Sequence, residues 1–404
     1  MKLKEVYEVT QHAVAQSLGS DYMTDNDGNL KAMDTFKIAD IGRDISNIQG
    51  QNMYDVALGA MVDRLATTYL ESREKDIIVP PMYIKPEEWG AFIQRATCDI
   101  LDIIDDGMYR LVDKADYSQI ENTYYKPPVH TKLYQEGLDL IVPISITQKQ
   151  LKTAFLSWDE MQYFLGWLQS QINQTIDHIL ECYSYMLLQC AIAVSDNNTQ
   201  TAVHLITEYN AKYGTSIATA EDALYGANAK EFKRFMCERI EFVRRSMRKY
   251  SKVYNNKFVP THTPKSDNIL VMLDEVDIAI TMGLDADTFH NQLLDFGEYF
   301  TVPCWQGMNA KNDETQLPSY ALETSSKVMI NADPDNTLGI GTSAYTGSYC
   351  IGLCYDRYAM GQTIKREDVS THYVASKQFT NTFHNLLLNY ILDTNYNMVA
   401  FFLD

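Results

Sequence analysis

The chain has 404 residues, of which 46% are hydrophobic, so it can bury a sizeable core in one or more domains. Its formal net charge of −19 argues against wrapping nucleic acid, because that requires concentrated Lys and Arg to neutralise phosphates. The opening MKLKEVYEVTQHAVAQSLG has no continuous apolar run, and no later stretch is apolar enough to span a bilayer. We therefore expect neither a signal peptide nor a membrane partner.

Two Pro-Pro pairs mark residues 76–148, within DIIVPPMYIKPEEWG and NTYYKPPVHTKLYQEGLDLIVPISITQ. Proline cannot donate a hydrogen bond to a sheet ladder, so these prolines disfavour a central strand and favour an exposed, extended segment. We predict a long two-stranded arm here, rather than a compact core. The prolines of this region lie at positions 80, 81, 86, 127, 128 and 143.

A long helical pattern begins within QLKTAFLSWDEMQYFLGWL, residues 150–168. Ser157 precedes Glu160 by three residues, which is the spacing of a capping box at a helix start. Apolar residues then recur at steps of three and four, which is typical of a buried helix face. They are Met161, Leu165, Leu168, Ile172, Ile179, Tyr183, Leu187 and Cys190. The pattern predicts a helix over 158–194, about 55 Å long, that braces an extended protomer.

A second amphipathic helix is predicted at about 229–252. Its apolar side comprises Phe232, Met236, Ile240, Val243, Met247 and Tyr250, and its other side is basic. The basic side fits a solvated face or a subunit contact better than a nucleic-acid site, because the rest of the chain is acidic. Beyond it, NILVMLDEVDIAITMGLD predicts a buried strand entering a helix. EYFTVPCW, SKVMIN and YCIGLCYD predict strands, and the chain closes with a long strand, a turn at DTNYN and an apolar strand.

Motifs for chemistry are missing from the sequence. GIGTSAYTG lacks the glycine spacing of a phosphate-binding loop, and neither HExxH nor GxSxG occurs. The eight histidines are dispersed, and Cys350 and Cys354 have no neighbouring Cys or His that would complete a zinc site. We expect seven reduced thiols, no catalytic residue, no cofactor and no metal. An enzyme with a site assembled from distant residues remains an alternative.

Three stretches resemble the capsid proteins of short-tailed, phi29-like phages. The first is SITQKQLKTAFLSWDEMQYFLGWLQSQINQTIDHILECYSYMLLQ, which resembles that family's entry into its long spine helix. The second, NILVMLDEVDIAITMGLDADTFHNQLLDFG, resembles its axial strand–helix unit. The third runs from KREDVSTHYVASKQFTN to NMVAFF and resembles its final strand and return. Together these stretches cover about half of the chain, in the family's order.

The resemblance implies an α+β, Hong Kong 97-like capsid fold with an N-terminal arm, an extended β loop, a long spine helix, and peripheral and axial domains. It divides the chain into an arm at 1–53, a peripheral domain at 54–75, 149–196 and 360–394 with spine helix 158–194, an extended loop at 76–148, and an axial domain at 197–359 and 395–404. No surface decoration domain is expected after Asp404.

The same resemblance implies a major capsid protein that self-assembles as pentamers and hexamers into an icosahedral or prolate shell. A scaffolding protein, a portal and packaged double-stranded DNA, bound without sequence specificity, are the expected partners. We expect synthesis in the host bacterial cytoplasm and a final place in the virion. The expected intersubunit contacts are Met82, Tyr83, Trp89, Tyr124, Tyr125 and Val129 of the extended loop.

A shell protein of an encapsulin-type nanocompartment is the architectural alternative, since it shares the implied fold but encloses cargo enzymes. The two differ in whether purified particles contain DNA.

Overall fold

The computed structural model describes residues 10, 11, 14, 93–98, 129–134, 138–150, 158–285, 299–306, 322–331, 343–374 and 376–404. Within them the helices are α1 (Trp158–Asp196), α2 (Leu205–Tyr213), α3 (Ala220–Tyr225), α4 (Ala229–Ser246), α5 (Asp274–Asp285) and α6 (Leu322–Ser325). The strands are β1 (Ile93–Cys98), β2 (Val129–Tyr134), β3 (Leu138–Thr147), β4 (Ala202–His204), β5 (Asn268–Leu273), β6 (Phe300–Val302), β7 (Val328–Ile330), β8 (Tyr345–Gly347), β9 (Cys350–Asp356), β10 (Met360–Val374), β11 (Phe379–Leu392) and β12 (Met398–Phe402). The fold is therefore mixed helix and strand.

The predicted spine helix is confirmed as α1, which has 39 residues and is about 58 Å long. The predicted apolar stripe is wrong at two positions. Ile179 and Tyr183 are only half-buried, whereas Ile176 and Leu180 are buried. Each step of four residues turns the helix about 40° beyond a full turn, so the buried face winds around α1. A stripe predicted from a fixed residue spacing therefore leaves the buried face after several turns.

The main core surrounds a five-stranded sheet of order β4-β12-β9-β5-β6. Strands β4 and β12 are parallel, as are β5 and β6, while β9 runs antiparallel to both β12 and β5. Every residue of β5, β9 and β12 is buried. Strands covered on both faces need continuous apolar runs, and NILVML and MVAFF provide them. The predicted strands at these positions, and the turn at DTNYN, are confirmed.

A second sheet joins β10, β11 and β3 in that order, with all neighbours antiparallel. The predicted extended loop, 76–148, includes β3, but in the structure β3 pairs with β11 along its whole length. Pro143 sits opposite Phe383 in this pairing. Because β3 is an edge strand, the missing N–H of proline does not interrupt the sheet. Strand β11 alternates between buried and half-buried residues up to Leu388, as expected for a strand with one covered face.

The two-stranded pairing predicted for the arm is present between β1 and β2. The strands are antiparallel over six residues each, from Ile93 opposite Tyr134 to Cys98 opposite Val129. The rest of the predicted arm, apart from β3, lies outside the described residues, as does the predicted N-terminal arm except for residues 10, 11 and 14.

Helix α4 is shorter than predicted, ending at Ser246 rather than near 252. The chain beyond it pairs elsewhere: Thr263 N donates to Met247 O at 2.8 Å, and Ser251 forms an isolated antiparallel bridge with Thr261. The predicted apolar face holds through Met247, but Tyr250 is 60% exposed and does not belong to it. The basic side also departs from the prediction of a solvated face, because Lys233 and Arg244 are buried.

Candidate assembly surfaces

Most of the residues predicted to contact neighbouring subunits lie outside the part of the chain that the structure describes. Met82, Tyr83, Trp89, Tyr124 and Tyr125 lie outside the described residues. Val129 is the first residue of β2, directly opposite Cys98. Their role as intersubunit contacts therefore stays a prediction.

The outer face of α1 carries two exposed aromatic side chains that the sequence analysis missed. Tyr163 is 75% exposed and Trp167 is 50% exposed, and their spacing of four residues places them side by side. Met161 and Leu165, on the other face, are buried. Neighbouring large aromatics on a surface helix are a typical contact site for another protein. Their off-stripe positions in an amphipathic pattern were the signal that could have identified them.

A groove of about 410 Å³ lies between α2 and α4. The guanidinium of Arg239 donates two hydrogen bonds to the Glu208 carboxylate, at 2.6 and 2.8 Å, along one side of it. Lys212 lies over the Phe235 ring at 5.2 Å, and Arg239 lies over the ring of Phe242, which is 58% exposed. The aromatic rings that line the groove therefore lie next to the positively charged side chains of Lys212 and Arg239. It can accept an apolar side chain from another chain.

The far end of α1 is fixed to the main core by polar contacts. The Tyr345 hydroxyl donates to Asp196 Oδ2 at 2.8 Å, and Asn256 Nδ2 donates to Val194 O at 3.1 Å. Burial and the Asp196 carboxylate both raise the pKa of Tyr345, so the phenol stays protonated and able to donate. A helix about 58 Å long that is anchored at one end can transmit its position rigidly to any partner on its outer face.

The two thiols of β9 are poorly suited to act as nucleophiles or metal ligands. Cys350 and Cys354 are fully buried, and burial raises the pKa of Cys354 to about 12 and that of Cys350 well above its ordinary value. Among the cysteines whose side chains the structure describes, none forms a disulfide, and Cys182 is only partly buried. Among the described residues no three or more His, Cys, Asp or Glu side chains gather in a way that could hold a metal ion. In the same part of the chain no helix is long and apolar enough to cross a membrane.

One buried histidine lies in the three-stranded sheet. His384 is 1% exposed, and its neighbours in register are Val369 and Val142. Neither ring nitrogen has a hydrogen-bond partner among the residues that the structure describes. Burial lowers the pKa of His384 to about 4, so the ring is neutral at ordinary pH. Its surroundings make it a structural residue rather than a proton donor to a substrate.

The long helix, its exposed aromatic pair and the antiparallel pair of β1 and β2 form no catalytic or metal site among the described residues, so the assignment depends on the comparison with known proteins. The sequence matches the family model of the Phi29-like phage major capsid protein over residues 29–402. The chain belongs to this family. It is a structural protein of the phage capsid, and hence a virion component. The resemblance stated from the three sequence stretches is confirmed.

The comparison with solved structures finds phage structures at low sequence identity, with TM-scores under 0.5. The capsid structure of Staphylococcus phage Andhra is 12% identical, the match covering 82% of this chain and 88% of that one, with a TM-score of 0.47. A chain from the head fiber and inner core protein structure of bacteriophage P68 is 10% identical over 80% and 83%, with a TM-score of 0.49. The capsid of cyanophage P-SCSP1u is 9% identical over 82% and 90%, with a TM-score of 0.41. No curated protein sequence matches significantly. The family match alone carries the assignment.

Proposed function

We propose that this chain forms the major shell of a phage head, closing as pentamers and hexamers into an icosahedral or prolate particle around double-stranded DNA. The observation that carries this proposal is the family match over residues 29–402. The exposed pair Tyr163 and Trp167 on α1 supports it physically, because a closed symmetric shell would cover that apolar surface.

We further propose the Hong Kong 97-like division into peripheral and axial domains. The axial domain, at 197–359 and 395–404, contains all five strands of the main sheet, β4, β5, β6, β9 and β12. The peripheral domain, at 54–75, 149–196 and 360–394, contains α1, β10 and β11. Because β3 pairs with β11, we extend the peripheral domain to include β3, so the extended loop begins at 76 and ends before Leu138.

The proposed partners beyond the chain itself are a scaffolding protein, a portal and packaged DNA without sequence-specific contacts. The net charge of −19 supports the last point, since an acidic shell repels DNA instead of gripping it. In this proposal the protein has no enzymatic role. What supports that part is the protonated, buried state of Cys350 and Cys354 and the absence of catalytic motifs from the sequence.

The test is assembly of the purified full chain, alone and with a scaffolding protein from the same phage, followed by light scattering and electron microscopy. We expect megadalton shells, tubes or polyheads. Monomers or a small uniform oligomer under every condition would overturn the proposal and favour a cytosolic enzyme with a dispersed active site. Shells isolated from infected cells should contain nuclease-protected DNA, whereas shells filled with a cargo enzyme would indicate a nanocompartment.

A further inference from the structure

Basic charge is concentrated in one part of this acidic chain. Residues 242–266 contain no Asp or Glu and hold seven of the 34 basic residues. We call residues 247–265, which follow α4, the basic loop. Five of its side chains are exposed cations that form no ion pair within the part of the chain that the structure describes: Arg248, Lys249, Lys252, Lys257 and Lys265. On α4 itself, by contrast, Arg234 and Arg245 pair with Glu238 and Glu241.

The basic loop is braced by hydrogen bonds within it. Its two arms are joined by the bridge between Ser251 and Thr261, in which both N–H groups donate across at 3.0 and 3.1 Å. At its tip the buried side chain of Asn255 donates to Val259 O at 2.6 Å and accepts from Val259 N at 2.9 Å. This side-chain turn holds Phe258 at a φ of 54°, a conformation that L residues rarely adopt. Strain kept in place by its surroundings is typical of functional surfaces.

The loop is also attached to the main core by a buried hydrogen-bond network. The Thr261 hydroxyl donates to Asn397 Oδ1 at 2.9 Å, and Asn397 Nδ2 donates to Thr263 Oγ1 at 3.1 Å. The Thr263 hydroxyl in turn donates to Asp356 Oδ2 at 2.7 Å. A loop fixed in this way loses little conformational entropy when a partner binds it.

The basic loop also has exposed aromatic side chains, which are close in sequence to its Arg and Lys residues. Phe258 is 54% exposed and Tyr250 is 60% exposed, and the Tyr250 ring lies 4.3 Å from that of His262. Aromatic residues surrounded by Arg and Lys form a surface suited to an acidic partner that also offers apolar contact. The phosphate backbone of duplex DNA would neutralise the cations but would leave Phe258 without an apolar pocket.

A surface of matching character lies on α3 and α5. We call it the acidic face, and it comprises the exposed residues Glu221, Asp222, Tyr225 and Ile278, with the half-buried Glu275 close to Glu221 and Tyr225. Tyr225 is 63% exposed and Ile278 is 54% exposed. Lys233, near the start of α4, lies over the Tyr225 ring at 5.5 Å. The basic loop begins after the other end of α4, about 20 Å further along the helix. The two surfaces therefore lie at opposite ends of one helix and cannot neutralise each other within a chain.

We propose that the basic loop of one copy docks on the acidic face of the next copy, with Phe258 entering between Tyr225 and Ile278. This inference rests on the proposed function, because it names one contact by which shell subunits associate. The contact joins two different surfaces, so it is head-to-tail. Repeated contacts of this kind close into a ring when the rotation between copies permits, which is what pentamers and hexamers require.

A charge exchange tests the contact in the full chain. The first variant combines Arg248→Glu, Lys249→Glu and Lys252→Glu, and the second combines Glu221→Lys and Asp222→Lys. All five side chains are exposed, so we expect both variants to keep the circular dichroism and melting temperature of the wild type. Each should give at least about tenfold fewer shells, because like charges meet across the contact. The two sets combined in one chain should restore assembly.

The matched control is Lys377→Glu, at an exposed position in the turn between β10 and β11, and it should assemble normally. If the wild type never assembles, the proposed function fails. If the wild type assembles and the loop variant does so equally well, or if the exchange does not restore assembly, only this inference fails. A loop variant that forms normal shells but protects less DNA would identify the loop as a DNA contact and would overturn the subunit contact.

Discussion

The indole Nε1 of Trp305 donates a hydrogen bond to the main-chain oxygen of Cys350 at 2.7 Å. The Trp305 side chain is fully buried, and its own main-chain oxygen accepts from Gln189 Nε2, also at 2.7 Å. One residue thus ties α1 to β9. The long helix and the main sheet are held together through this point, although Gln189 and Cys350 are far apart in the chain.

Trp305→Phe should destabilise the protein by about 1–3 kcal/mol, because the Cys350 oxygen would be left buried without its donor. Thermal or denaturant unfolding of the wild type and the variant measures this difference. Trp167→Phe, which changes a half-exposed indole on α1, is the control and should leave unfolding unchanged. Equal melting temperatures for Trp305→Phe and wild type would show that the hydrogen bond is unimportant for stability.

Ile172→Asp should unfold the protein or make it insoluble. Ile172 is 5% exposed on the buried face of α1, and burying an unpaired carboxylate costs several kcal/mol, comparable with the stability of a domain. Gln171→Asp places the same side chain on the exposed side of the helix and should be tolerated. Solubility and circular dichroism distinguish the two variants. Normal melting of Ile172→Asp would contradict the packing of α1.

His384 predicts a stability that falls in acid. Its pKa in the fold is about 4, below its ordinary value of 6.5, so the unfolded chain takes up the proton first. The contribution is complete above pH 6.5 and is lost as the pH falls towards 4, with a slope of up to about 1.4 kcal/mol per pH unit. Denaturant unfolding between pH 7.5 and 4.5 measures it.

His384→Leu isolates this effect, because it removes the titrating ring and its two unpartnered nitrogens from the sheet. The variant should match or exceed wild-type stability at pH 7.5 and should lose less of it at pH 4.5. His372→Leu, at an exposed position of β10, should keep the wild-type pH profile. Parallel pH profiles for His384→Leu and wild type would contradict the assignment.

The cysteines of β9 should neither bind a metal ion nor act as nucleophiles. Cys350→Ala and Cys354→Val should leave assembly intact, and metal analysis of the purified protein should find no stoichiometric zinc or iron. In the native fold, a thiol reagent should react with the half-buried Cys182 well before it reaches Cys350 or Cys354, whose thiols are buried and protonated. A bound metal that is lost with the β9 cysteines would overturn this prediction.

Excision of about 82–128, bridged by a short Gly-Ser linker, should separate folding from assembly. Loop length changes closure entropy only slowly, so the shortened chain should remain a soluble, folded monomer. It should not form closed shells. The matched variant keeps the loop but changes Tyr83, Trp89, Tyr124 and Tyr125 to Ala, and it should lose assembly in the same way. Normal assembly of either variant would show that the loop is not an intersubunit arm, and failure to fold would place the loop in the core.

Local patterns predicted the elements that local forces determine. The helical period of α1, the apolar run of β5 and the turn before β12 each depend on residues that are close together in the sequence, and all three elements are present. The pairing of β3 with β11 was missed, because the residues involved are separated by more than two hundred positions and Pro143 suggested a loop. Such pairings depend on tertiary packing, which a single sequence does not display.

The surfaces were harder to predict than the core. Tyr163 and Trp167 lie outside the apolar stripe, so a search for the buried face of the helix passes over them, although their off-stripe positions mark them as exposed. The basic side of α4 was visible in the sequence, but the burial of Lys233 and Arg244 was not. Nor could the sequence show that Asn255 holds Phe258 outward, because that contact depends on the backbone conformation of the turn.

The position of β12 in the main sheet determines when the sheet can be completed during synthesis. This strand lies between β4 and β9, and its parallel partner β4 precedes it by almost two hundred residues. A ribosome adding 5–20 residues per second needs roughly 10–40 s to travel that distance. Strand β9 is made only near the end of this interval, and β4 and β9 then have no strand between them until β12 follows. The sheet is therefore unfinished until the last residues of the chain are made. Chains released before Met398 would therefore lack a completed core, and a growing shell would receive only subunits whose synthesis had passed this point.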